Sequence, residues 1–74
     1  MGTIKWGRPV ENRYGNMVYT SKDGRFTIEK RKFVLPYASI GYLLEGPGVP
    51  KYGRDHDTLR DAKDMAQAVA NGEI

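Results

Sequence analysis

HDTLRDAKDMAQAVANG, residues 56–72, is the stretch whose reading decides the fold. Thr58 is a suitable N-cap, and Asp61 three residues later makes a Thr-x-x-Asp variant of the capping box. At about 100° per residue, Leu59, Ala62, Met65, Ala66, Val69 and Ala70 share one face. Arg60, Asp61, Asp64, Gln67 and Asn71 lie opposite. Gly72 is a natural stop. The apolar stripe is mostly Ala, so this helix is built to lie close against something flat.

The segments before it supply that surface. Met17-Val18-Tyr19-Thr20 is rich in strand formers, and Ser21-Lys22-Asp23-Gly24 carries the Asp-Gly signal of a hairpin turn. In residues 25–31, Phe26 and Ile28 alternate with Arg25, Thr27, Glu29 and Arg31, so one face is apolar and the other charged. Pro36 disfavours a strand continuing through Leu35. A third strand is expected at residues 38–45, with Ala38, Ile40, Tyr42 and Leu44 inward unless a bulge at Gly41 switches the parity. Residues 46–55 read as a loop, long for so small a domain and therefore a hint of function or mobility.

The expected fold is α+β: a three-stranded antiparallel meander with one C-terminal helix across its apolar face. Residues 16–74 would form this single domain, and residues 1–15 an arm or short edge strand ended by Pro9. The expected core is Met17 or Tyr19, with Phe26, Ile28, Ile40, Tyr42, Leu59, Ala62, Ala66 and Val69. Trp6 is either a plug over one end of that core or an interface anchor, and the plug is the better expectation.

The chain has 74 residues, 39% of them hydrophobic, with a mean hydropathy of −0.63. One small core is all that such a chain can build. Cysteine is absent, so neither disulfides nor thiolate metal sites reinforce it. The apolar runs are too short to cross a bilayer, and a soluble, cytoplasmic protein is expected. Residues 1–54 hold ten Lys and Arg against four carboxylates, a balance of +6; residues 55–74 hold two against five, a balance of −3. A basic sheet and an acidic helix point weakly toward a polyanion on the sheet side. Helix-dipole preference for acids and ordinary strand composition explain the same asymmetry.

Enzymatic chemistry is hard to find. His56 has no Cys partner, Ser21 and Ser39 lack a nucleophile context, and no glycine-rich phosphate loop opens the helix. Read as a calcium loop, Asp55-His56-Asp57 continues with Leu59 and Arg60 where an oxygen ligand and Gly are needed. A solvated turn before the helix is the better reading, with neither metal nor cofactor expected. The basic residues fit DNA better. Arg25, Thr27 and Arg31 on the exposed sheet face, Lys22 at the hairpin tip, and Lys30 and Lys32 near the strand end form a candidate nucleic-acid-binding set.

The order of hairpin, third strand and a helix opening Thr58-x-x-Asp61-Ala62 resembles the arm-site DNA-binding domains of phage-type integrases. That family has three strands and one helix, often introduced by F-x-T-x-x-E-A; here Asp61 replaces Glu and His56 stands in the aromatic position. The resemblance spans residues 16–71 and implies double-stranded DNA as partner. TLRDAK, residues 58–63, is also similar to the S-K-K-x-A-K start of the last helix in double-stranded RNA-binding domains, with Arg60 and Lys63 at basic positions. Leu59 and Asp61 depart from that pattern. The small non-catalytic layout looks like that of orphan bacteriophage proteins. It gives the alternative expectation, an effector that binds a host protein in the host cytoplasm. Tyr14, Tyr37 and Tyr52 would then form the interface, and a homodimer follows from the same physics.

Overall fold

The computed structural model describes residues 2–33 and 39–73, with the backbone alone at Lys32, Phe33, Ser39 and Ile40. It is an α+β fold: a five-stranded antiparallel sheet in sequence order and one C-terminal helix. The strands are β1 (Val10–Glu11), β2 (Met17–Thr20), β3 (Thr27–Phe33), β4 (Ser39–Glu45) and β5 (Asp55–His56), and the helix is α1 (Leu59–Ala70). The three expected strands are β2 to β4. The expectation of three is corrected to five by β1 and β5, each two residues long and too short to show a period in sequence.

β1 belongs to a longer edge segment. Trp6 bridges Ser21, the Gly7 amide donates to Thr20 O and the Lys22 amide to Lys5 O. Further on, Val10 faces Val18 and Glu11 faces Met17. The register slips by one residue between these two pieces, a bulge at Arg8–Pro9 where Pro9 has no amide to give the ladder. The segment is also tied to the helix. The Ile4 amide donates to Gln67 Oε1 at 2.7 Å, and Gln67 Nε2 donates to Gly2 O at 3.3 Å. Trp6 packs half-buried against the core, the plug position.

The β2–β3 turn forms where Asp23-Gly24 places it. The Gly24 amide donates to Ser21 O at 2.9 Å, and Gly24 adopts φ 80, which glycine tolerates without strain. In the ladders, Tyr19, Ile28 and Leu44 share one row, and Met17, Lys30, Tyr42 and His56 the next. Both rows face α1. This settles the inward faces of the first and third strands: Tyr19, Tyr42 and Leu44 point to the helix side. Fully buried are Phe26, Ile28, Leu44, Ala62 and Ala66, with Tyr19, Tyr42, Leu59, Met65 and Val69 packed around them. The side chain of Ile40, assigned to the core from sequence, lies outside the described part.

Thr58 Oγ1 accepts the Asp61 amide at 3.1 Å, so the cap is formed as read. The helix ends in a Schellman arrangement: the Gly72 amide donates to Val69 O and the Glu73 amide to Ala68 O, with Gly72 at φ 76. Ala62 and Ala66 are fully buried where α1 meets the sheet, because only small side chains fit at that approach. The 46–54 connection is pinned against the body of the fold. Val49 packs on the core, and Gly53, in the 3-10 turn Lys51–Gly53, is buried with its α-carbon against Met65. Asp55-His56, expected as a solvated turn, is corrected to strand β5 beside Leu43 and Tyr42. His56 Nε2 lies 2.7 Å from Gly53 O and donates to it, tying β5 to the 3-10 turn.

Candidate nucleic-acid interface

The basic residues read from the sequence divide into two groups at opposite ends of β3. Lys22 and Arg25 belong to the β2–β3 turn. Asp23 organises that turn: its Oδ1 accepts the Ser21 hydroxyl at 2.7 Å and the Arg25 amide at 3.0 Å, and its Oδ2 accepts Arg25 Nε at 2.7 Å. These bonds, led by the Ser21 hydroxyl, lower the Asp23 pKa from its ordinary 3.8 to about 2. Arg25 is therefore occupied; its guanidinium also lies 5.4 Å from the Phe26 ring centre. Lys22 is exposed and belongs to no ion pair among the described residues.

Thr27, Glu29 and Arg31 share the face away from α1, as the alternation predicts. There Arg31 Nε donates to Glu29 Oε1 at 2.7 Å, while Asn12 and Asn16 Nδ2 donate to Glu29 Oε2 at 2.7 and 3.2 Å. The Arg31 hydrogen bond holds the Glu29 pKa below its ordinary 4.5, helped by the two amides and opposed by partial burial. Further along, Arg54 pairs with Glu45 at 3.4 Å. The basic character expected of this face is thus largely cancelled by carboxylates on the same face.

Lys30, expected near the strand end, lies on the other face from Arg31. It sits opposite Met17 and Tyr42 on the helix side, half-buried and outside the ion pairs of the described residues. The period of two requires this, since Lys30 has the parity of Ile28. Lys32 follows with its backbone opposite Ile40. Pairing with β2 stops at Lys30, and pairing with β5 reaches only Tyr42. Among the described residues, Arg31–Phe33 and Ser39–Gly41 therefore pair only with each other. They form a two-stranded ribbon extending about 10 Å past its neighbours.

Tyr14 and Tyr52 are 73% and 78% exposed; Tyr37 lies outside the described residues. Sequence reasoning passed over Asn12 and Asn16, and it placed Ser21 in the hairpin turn without its hydrogen-bonding role. Asn12 shapes the β1–β2 turn by accepting the Tyr14 and Asn16 amides at its Oδ1, and it reaches Glu29 with its Nδ2. The pattern Asn-x-x-Gly was the available signal. Ser21 is buried, and its Oγ accepts the Phe26 amide at 3.0 Å while donating to Asp23, so its hydroxyl is committed to structure. Among the described residues, no three His, Asp or Glu side chains gather closely enough to hold a metal ion. Among the described residues, no helix is long and apolar enough to cross a membrane. Comparison with family models, curated proteins and solved structures finds no match to this chain.

Proposed function

We propose that this chain is a non-catalytic nucleic-acid-binding protein that engages duplex DNA with the β3–β4 ribbon. The supporting observation is that Arg31 and Lys32 lie where, among the described residues, β3 and β4 pair only with each other, with Lys30 at the base of that ribbon. A two-stranded ribbon is one of the shapes that the major groove admits. Lys30 and Lys32 serve phosphates, and Arg31 exchanges its exposed contact with Glu29 for a base edge or phosphate; such surface pairs are worth about 1 kcal/mol at most, so the exchange is easy. Arg25 and the rest of the outer face take little part, because their charge is already answered.

Fluorescence anisotropy with a labelled duplex tests this. With three phosphate contacts, affinity falls about 40-fold as salt rises from about 50 to 200 mM. The double variant K30E/K32E lowers affinity by roughly tenfold or more, whereas Arg60→Glu on the exposed helix surface has little effect. Absence of binding at the lowest salt, or binding indifferent to salt, overturns the proposal. The exposure of Tyr14 and Tyr52 favours a second reading, a protein-interaction module. Its test is saturable capture of one protein partner from lysate that Tyr52→Ala abolishes.

A further inference from the structure

Two places in the chain put Asn or Asp directly before glycine, Asp23-Gly24 and Asn71-Gly72. Asp23 is engaged at both oxygens, by the Ser21 hydroxyl, the Arg25 amide and Arg25 Nε. Asn71 stands differently. It is the C-cap of α1 and exposed, with Gly72 exposed beside it at φ 76. Among the described residues, a Cβ at Gly72 would meet no atom within 4 Å, so the space around this peptide is open. Gln67 Nε2 donates to Asn71 Oδ1 at 2.9 Å and so draws electron density away from Asn71 Cγ. The other two asparagines precede Arg13 and Met17, and the Nδ2 of each donates to Glu29.

We infer that Asn71 is a site of spontaneous deamidation, with water as co-reactant, opened by fraying of the last turn of α1. The deprotonated Gly72 nitrogen attacks Asn71 Cγ. The N–Cγ bond forms, the Cγ–Nδ2 bond breaks, and the leaving group takes a proton and departs as ammonia. Water then opens the five-membered imide at either carbonyl. One opening gives aspartate; the other gives isoaspartate, whose main chain runs through the side-chain carbon. Glycine favours the attack because a Cβ at position 72 would crowd the nucleophile. The fold supplies the gate. At ψ −6 for Asn71, the Gly72 nitrogen lies on the side of the Asn71 nitrogen and away from its side chain. The Gly72 amide is also held by Val69 O at 3.1 Å, and the Glu73 amide by Ala68 O at 2.9 Å. Ring closure therefore waits until this turn opens, which helix ends do readily. The product takes one unit from the net charge of +3 and sets a carboxylate at the negative end of the helix dipole. The extra main-chain carbon of isoaspartate prevents the Schellman arrangement from closing again. The inference does not depend on nucleic-acid binding.

The folded protein is incubated at mildly alkaline pH, then followed by peptide mapping and isoaspartate-specific methyl labelling. Asn71 converts roughly tenfold or more faster than Asn12 or Asn16, with isoaspartate among the products. Unfolding in guanidinium chloride removes the gate and speeds conversion at Asn71 roughly tenfold or more. Gly72→Ala is measured in the same denaturant, where strain at the helix end cannot enter, and slows conversion roughly tenfold or more. An Asn71 that stays intact in the folded protein, a product free of isoaspartate, or a folded rate equal to the unfolded one overturns the inference. A Gly72→Ala chain that converts as fast as wild type in denaturant does the same.

Discussion

Ser21 joins the hairpin turn to the core through one hydroxyl. It donates to Asp23 and accepts from the Phe26 amide, and Phe26 is the ring around which the turn end of the sheet closes. Ser21→Ala leaves a buried amide unpaired, so chemical denaturation should show a loss of about 1–3 kcal/mol. Asp23 gives the same turn a pH signature. Its folded pKa of about 2 lies below the ordinary 3.8, so its contribution is fully present above about pH 4 and is lost as pH falls through about 2. Thermal melts should therefore fall between about pH 4 and pH 2. Asp23→Asn should melt lower than wild type at neutral pH and lose less over that window. Glu29 acts with the same sign, since its folded pKa is also depressed, so the Asn variant flattens only part of the profile.

At the scale of elements, β4 leaves the sheet at Gly46, directly over Phe26. A methyl group there would stand 2.4 Å from Phe26 Cδ1 and 2.8 Å from the Arg25 carbonyl oxygen, so ring and backbone would both have to shift. Gly46→Ala should destabilise by about 1–3 kcal/mol, measured as a lowered denaturation midpoint. The elements that could be read in advance were those with room to show a pattern. β3 alternates over seven residues, and α1 announces itself with Thr58 and closes at Gly72. β1 and β5 exist only because longer strands offer them a ladder, so their two residues carry no period of their own. Asp55-His56-Asp57 is polar enough to read as a turn, and pairing to β4 prevails over that local preference. The division of the basic set was within reach, since Lys30 alternates with Arg31. The carboxylates that answer Arg25 and Arg31 were visible as residues two positions away, but their geometry depends on the turn and the strand.

Over the whole molecule, Gln67 does what a neighbouring strand would do. Its amide accepts from Ile4 and donates to Gly2 O and Asn71 Oδ1, holding the first residues against the last helix across 63 positions of sequence. Lys63 reaches over the Trp6 and Tyr19 rings at 5.9 Å, adding a second tie at the same seam. Gln67→Ala should release residues 2–7 without unfolding the sheet. Hydrogen exchange should speed up at the Ile4, Gly7 and Lys22 amides, with a change in Trp6 fluorescence, while the Ile28 and Leu44 amides stay protected. Loss of protection throughout would show that the segment is integral to the fold.

The helix comes after every strand in the chain, and it is the cover for Phe26, Ile28 and Leu44. During synthesis the meander emerges first, with its apolar side bare until residues 59–70 have left the ribosome. The nascent chain thus passes through an interval as a one-sided sheet with open edges, the form most prone to pair with its neighbours. A polysome translating this message carries several such chains at once, so the emergence of residues 59–70 times the passage from a sticky intermediate to a closed domain.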